Sequence, residues 1–547
     1  MSLKSQIDLI YLLLEQNNYI DAEILIEQNL KNFSTNSELF YLKAIVCALK
    51  NKHQEAVKVF KKIFKLYKSD VNYLVNYAAS LNSIRDNDNA LKIINKALVI
   101  SPNSYQIFFN KGNILFDINK FSLALKEYEK AISINPELYQ VFNNMGKCYY
   151  ALKQFDKALI AYDRAIQINP DYAEAWSNKG VTLLAINQNE NAVDHFNKAI
   201  SLQPQFSQAY SNIGLAFHAL KQFDKALIAY DRAIQINPDY AEAYLNKSFT
   251  QLLNCQFTDG WKNFEYRLKL DEFKNKYLDI SVLTSLTKFV EGDRILVWYE
   301  QGMGDVIQFS RYVYSLVDLN ARVIFYIPED LIGIFPLRNG LEITSSDAQI
   351  NDITYQVPLL SLPKIFQTSS SNIHHLPTKI QIDSEKTNFI KKIIGSSQPK
   401  VGLVCSGQIN HRNDLNRTIP LRSFEPILLI KNFNYYLIQK DIRSEDAGYL
   451  KKSNILDMSL YIKNYTDTVA VIDNMDFLIT VDTSVAHLAG SMGKRVYLLL
   501  PFCPDWRWQL NRTDSPWYES IRIIRQDSYG NWNNVMNQLK KLIEKIH

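Results

Sequence analysis

The sequence predicts an all-α solenoid followed by an α/β region built on two parallel sheets, the first of them reduced. Three observations carry this. Alanine recurs every 34 residues at Ala22, Ala56, Ala90, Ala124, Ala158, Ala192 and Ala226, with Gly260 next in step. A glycine series (Gly112, Gly146, Gly180, Gly214) and a proline series (Pro102, Pro136, Pro170, Pro204, Pro238) keep the same period. From Arg294 onward the period is gone, and short β-branched or aromatic runs alternate with helical stretches.

A period of 34 residues is that of a stacked helix-turn-helix unit. Small residues are expected where the two helices of a unit cross, and proline ends the second helix by removing a donor. Eight units are expected to begin near residues 3, 37, 71, 105, 139, 173, 207 and 241. The segment ALKQFDKALIAYDRAIQINPDYAEA occurs at both 151–175 and 219–243, two repeats apart, which reads as duplication. These marks are the signature of the tetratricopeptide repeat, and the array resembles that family. Such a solenoid presents a binding surface and rarely performs chemistry, so chemistry is expected in the second half.

Composition narrows the class. At 547 residues the chain suffices for two or three domains, and its 47% hydrophobic content suits a globular protein. The net charge of +5 is spread evenly along the chain, without the basic stripe of a nucleic-acid binder. The five cysteines form no CxxC pair, which points to a reducing compartment and away from zinc. MSLKSQIDLIYLLLEQ reads as a repeat helix, and no apolar run approaches the roughly 20 residues of a membrane span. A soluble, cytoplasmic protein without a transmembrane segment is expected.

A further series, Asn76, Asn110, Asn144, Asn178, Asn212 and Asn246, falls at the sixth position of the first helix in six units. A primary amide donates and accepts at once, so a column of them suits the backbone of an extended peptide. The column resembles the asparagine ladder of nucleocytoplasmic O-linked N-acetylglucosamine transferases, where it holds protein acceptors. The competing reading is contact between neighbouring units.

In the second half, strands are expected at 294–300, 321–327, 400–407, 434–440, 475–483 and 495–501, with a break between two sheets near 369–379 and 396–400. Ligands of open α/β sheets bind beyond the carboxyl ends of strands, which singles out three loops. EQGMGDVIQFSRY (300–312) has a glycine-permitted turn and places Asp305 at a helix start, as a base or as a cap. GQINHRNDLNRTIPL carries His411, Arg412 and Arg417, for a donor or merely for solubility. ITVDTSVAHLAGSMGKRV ends a strand at Asp482, Thr483 and Ser484 and opens a helix with His487, a natural pyrophosphate seat. Lys440, at its own strand end, is a candidate charge for the same phosphates. The cluster Pro504, Asp505, Trp506, Arg507 and Trp508 either lines a pocket or packs between domains.

EQGMGDVIQFSRY, GLVCSGQINHRNDLNRTIPL, VDTSVAHLAGSMGKRVYLLLPFCPDWRW and DSPWY resemble tetratricopeptide proteins with a C-terminal domain of glycosyltransferase family 9, the ADP-heptose:lipopolysaccharide heptosyltransferase family. The resemblance spans roughly 294–540, with Cys405 where many relatives have Trp. It implies a GT-B fold of two Rossmann-type halves. The expected organisation is a repeat array over 1–274, a connector over 275–292, an acceptor-side half with the base loop over 293–392, and a nucleotide-sugar half over 393–547. It further implies Asp305 as general base for an inverting transfer, and a nucleotide-diphosphate site from Asp482, Thr483, Ser484 and His487, completed by Ser406, Gly407 and Lys440. No D-x-D cluster stands at a suitable loop, so neither metal nor other cofactor is expected. The expected function is a metal-independent glycosyltransferase whose repeats hold a protein or peptide acceptor. The alternatives are a non-catalytic repeat adaptor, or a transferase for glycan or lipid-linked sugars whose repeats dock partners.

Overall fold

The computed structural model describes residues 2–270, 277, 279–347, 350–373, 379–395, 398–409 and 413–546. By internal packing the chain forms two compact units, Met1–Ala216 and Phe217–His547, with the boundary inside helix Ser207–Ala219.

The first unit consists of tetratricopeptide repeats. Its helix pairs begin at Leu3, Ser37, Val71, Tyr105, Tyr139, Ala173 and Ser207, each second helix starting 16 residues later. Second helices end at Ile100, Ile134, Ile168 and Leu202, each two residues before its proline. The glycines meet something other than crossing backbones. A Cβ on Gly112, Gly146 or Gly180 would lie 2.4, 2.5 or 2.7 Å from the ring of Tyr128, Tyr162 or Phe196 on the partner helix. Glycine is therefore the socket for an aromatic ring of the same unit. The turn inside each unit holds a left-handed residue, at Asn17, Asn51, Arg85, Asn119, Lys153 and Asn187 and, in the second unit, Lys221 and Cys255. Asn adopts this conformation at low cost, while Arg, Lys and Cys are held there by the stacking around them.

The second unit opens with helices Phe223–Ile236, Ala241–Leu253 and Phe257–Phe264 and continues into two sheets. The first contains β1 (Arg294–Trp298), β2 (Arg322–Tyr326), β3 (Leu341–Thr344) and β4 (Tyr355–Pro358), all parallel in the order β3-β2-β1-β4. The second contains β5 (Lys400–Val404), β6 (Asn434–Leu437), β7 (Leu456–Asp457), β8 (Phe477–Val481), β9 (Arg495–Leu500) and β10 (Ile521–Arg525), all parallel in the order β10-β9-β8-β5-β6-β7. The order reverses between β1 and β4 in one sheet and between β5 and β8 in the other. Four of these strands, β3, β4, β7 and β10, lack a continuous apolar run. They are short or, as in IRIIR, carry charge on one face at a sheet edge.

One continuous core joins Leu245, Leu252, Phe257, Trp261 and Phe264 of the last helices to the first sheet and to one face of the second, through Val404, Leu478, Val496 and Leu498. The other face of the second sheet packs Val401, Leu403, Ile479 and Leu499 against Val535, Met536 and Leu539 of the C-terminal helix Trp532–Ile543. The five cysteines are unpaired, and no helix among the described residues is long and apolar enough to cross a membrane.

Gly146→Ala is expected to lower stability, because ring displacement costs about 1–3 kcal/mol against the ~1 kcal/mol that alanine gains in helix propensity. Gly448→Ala, where an added Cβ meets nothing within 4 Å, is the control and should be neutral or stabilising. Urea denaturation of both variants measures the difference.

Candidate functional site

Both points of strand-order reversal feed one polar cluster. Beyond β1 the chain turns at Gly302 into helix Met303–Asp318, which puts Asp305 in the first turn. Beyond β8 it turns at Thr483 into helix Ser484–Ser491. The two helices meet at Gly304, where an added Cβ would stand 3.0 Å from His487 Cδ2 and 3.4 Å from Ser484 Cα. Glycine here is required by that close approach, which brings Asp305 beside the start of the second helix.

Asp305 is held by an ion pair. Arg507 donates through Nη2 to its carboxylate and through Nη1 to both oxygens of Asp505, at 2.9 and 3.1 Å. The guanidinium lies 4.4 Å above the Trp506 ring. Burial pushes the Asp305 carboxyl above its usual range and Asp505 adds to this, while Arg507 and the Gly302 N–H favour the charged form. Neighbouring Asp482 is pushed up to about 6, chiefly by burial and by Asp505, with Arg417, the Trp508 indole and Arg507 opposing. Burial and Asp505 thus favour the protonated form of both Asp305 and Asp482.

The Asp482–Ser484 turn leads straight into the first helical bond. Ala486 N–H is bonded back to Thr483 O at 3.0 Å, so by helix geometry the N–H groups of Ser484 and Val485 precede the first helical bond. Ser484 Oγ accepts from Tyr465, at 2.7 Å, and Thr483 Oγ1 lies 3.4 Å from Thr480 Oγ1. His487 is enclosed, stacked on Trp508 at 5.1 Å and bonded through Nδ1 to Tyr518 Oη at 3.1 Å. Burial, with Arg507 and Arg311, drives its pKa well below the ordinary value, so it is neutral and supplies no charge.

Ser406 is buried and its Oγ accepts from Gln439 at 3.2 Å. Gly407 is needed because Arg417 Nη2 would stand 2.5 Å from a Cβ there. Arg417 in turn donates to the carbonyl of Asp482 at 2.9 Å. Lys440 is exposed and donates to the Lys463 carbonyl at 2.9 Å. His411 and Arg412 lie outside the described residues.

Two groups escaped notice as site residues. Arg507 was visible only as part of an aromatic cluster, although a charged residue between two tryptophans is itself a signal. Arg267, fully buried, donates to Glu300 Oε1 and Oε2 at 3.0 Å each and to Ser361 Oγ at 2.8 Å. Glu300 Oε2 also accepts from Leu360 N–H at 3.2 Å, which fixes the loop leading to Asp305 against the end of β4.

The six ladder asparagines are all half-buried. Asn76 donates to Tyr41 Oη at 3.2 Å, Asn144 to Asn113 Oδ1 at 2.9 Å and Asn178 to Asn143 Oδ1 at 2.9 Å, each in the preceding unit. Asn110 donates to Gln106 O of its own helix at 2.9 Å. Contact between units therefore accounts for three of the six.

Comparison with known proteins bears on the repeats. The tetratricopeptide-repeat pattern matches residues 139–172, 173–206 and 207–240, and a second pattern for these repeats matches 112–153. The N-terminal region is thus a tetratricopeptide-repeat array. Protein FlbA of Caulobacter vibrioides is 21% identical over 312 residues, and the chain spans about half the length of this curated relative. Among solved structures, YrrB, described as a TPR protein with an unusual peptide-binding site, is 27% identical with a TM-score of 0.27, over 34% of this chain and 95% of its own. MamA is 23% identical with a TM-score of 0.28, over 31% and 94%. The Cut9 and Hcn1 assembly of the APC/C is 12% identical with a TM-score of 0.41, over 49% and 53%.

His218, bonded through Nδ1 to Thr250 Oγ1 at 2.8 Å, has its pKa lowered to about 4 by burial. The folded state therefore binds this proton more weakly than the unfolded state, where the value is near 6.5. Its contribution is fully present above pH 6.5 and is lost as pH falls toward 4. Acidification over that window should lower the unfolding free energy, and His218→Gln should flatten the dependence. Denaturant titrations at stepped pH measure it.

Proposed function

We propose that the chain is a protein-binding repeat scaffold whose α/β region takes a nucleotide-diphosphate sugar and transfers the sugar, with inversion, to an acceptor held by the repeats. The observation that carries the enzymatic half is the meeting of both strand-order reversals at Asp305 and the Asp482–Ser484 turn. Open parallel sheets bind ligands at such reversals, and two of them facing each other suit a donor on one side and an acceptor on the other. The resemblance of the Asp305 loop and the DTSVAHLAG element to glycosyltransferase family 9, and thereby to the GT-B fold, supports the same reading.

In this reading the backbone amides at the start of helix Ser484–Ser491 receive the diphosphate, since a helix start favours negative charge. Asp305 takes the proton of the attacking acceptor hydroxyl as the new glycosidic bond forms at the anomeric carbon. The bond from that carbon to the diphosphate breaks as the nucleotide leaves. Donors of the protein, Arg507 and Arg417 among them, face the charge that develops on the leaving group.

A second reading is a scaffold whose α/β region binds without turnover. It is favoured by the ion pair that already engages Asp305 and by the tether on Lys440. The similarities to known proteins lie in the repeats and support the scaffold half of both readings ahead of the enzymatic half.

Calorimetry of the purified protein against UDP-, GDP-, ADP-, dTDP- and CMP-linked sugars, alongside Asp305→Ala, separates the two. The transferase reading expects one donor to bind both forms, with turnover falling about 100-fold or more in the variant. Absence of binding up to about millimolar donor, equivalent to roughly 4 kcal/mol, leaves the scaffold reading standing alone.

A further inference from the structure

The last repeat helix, Phe257–Phe264, reaches the Asp305 cluster through an unbroken series of aromatic contacts. Trp261 is fixed by its indole N–H, which donates to Thr368 O at 2.8 Å. Its ring meets Trp506 edge-on, with centroids 5.2 Å apart and planes at 89°. Phe264 and Phe309 approach the same Trp506 at 6.4 and 6.3 Å. Trp506 carries the guanidinium of Arg507, and the backbone of Arg507 is pinned where Trp517 Nε1 donates to its carbonyl at 2.9 Å. The neighbouring loop is tied to the previous repeat as well. Cys503 Sγ donates to His218 O at 3.4 Å, and Lys221 Nζ lies 3.6 Å over the Phe502 ring.

We propose that Trp261 is a positioning residue for Asp305, acting through Trp506 and Arg507, so that the last repeat sets the orientation and charge state of the site rather than merely carrying it. The argument is geometric. The Arg507 guanidinium sits 4.4 Å from the centre of the Trp506 ring, and that ring is held by Trp261 and Phe264 of the last repeat together with Phe309 and Trp517. Of these, Trp261 makes the shortest contact, so a shift of the ring on its loss would move the guanidinium relative to Asp305. Loss of this partner removes the larger influence that favours the charged carboxylate, leaving the Gly302 N–H alone against burial and Asp505. The catalytic consequence rests on the reading of Asp305 as a base.

The test uses the full-length protein, with Trp261→Ala, Trp261→Phe and Arg507→Gln, and two readouts. Hydrogen exchange of the backbone at 303–310 and 500–510 reports positioning whether or not transfer occurs. It should quicken at least about tenfold in Trp261→Ala and stay near the parent rate in Trp261→Phe, which keeps an aromatic edge. The second readout is the pH profile of transfer. Its acidic limb should move to higher pH in Arg507→Gln and in Trp261→Ala, and return toward the parent in Trp261→Phe. Unchanged exchange at 303–310 in Trp261→Ala overturns the proposal, as does an acidic limb that stays in place in Arg507→Gln. Exchange that responds as expected in a protein without any transfer overturns the enzymatic reading while the relay stands.

Discussion

The second unit is organised around a buried cation. Arg507 has only 11% of its side chain exposed, and a guanidinium in that position must be matched in charge and in hydrogen bonds or the fold does not close. Asp305 and Asp505 supply the match, one from the first α/β half and one from the loop after β9. Their presence has a cost, since the Asp505 charge adds to burial in raising the proton affinity of Asp305 and of Asp482. The cluster is thus stable as it stands and is also responsive to an added anion, which would compete for the same guanidinium.

That cluster is packed against the end of the repeat array through Trp506. The repeats elsewhere bury their faces against each other, with glycine sockets taking the aromatic of the same unit. In the second unit the last two helices instead bury Leu252, Phe257, Trp261 and Phe264 in the core of the sheets. Arg267, just beyond them, carries its charge fully inside and is neutralised by Glu300 at the end of β1. Removing either partner would strand a buried charge, which is why the junction behaves as part of the α/β core and not as a linker.

Much of this was legible in the sequence where a local rule governs. The 34-residue period gave each helix start because one small alanine recurs in each unit, with a proline added from the third unit on. Six strands showed as continuous apolar runs because buried parallel strands must be apolar on both faces. β7, of two residues, and the charged edge strand β10 carry no such signal. The site was half legible. Asp305 and the Asp482–Ser484 turn sit at strand ends, where glycine and small hydroxyl residues mark them. Arg507 is 202 residues from Asp305, and no local pattern predicts a pairing at that separation. Burial was equally invisible: it stacks His487 on Trp508 and pushes its pKa down.

The most direct test is a crystal structure of the protein with the nucleoside diphosphate sugar that binds it. The account predicts the diphosphate against the Thr483 and Ser484 amides, with the anomeric carbon turned toward Asp305 and Arg507 drawn from the carboxylate to the phosphate oxygens. A nucleotide lodged elsewhere, with the pair between Arg507 and Asp305 intact and the Thr483 turn empty, would contradict it.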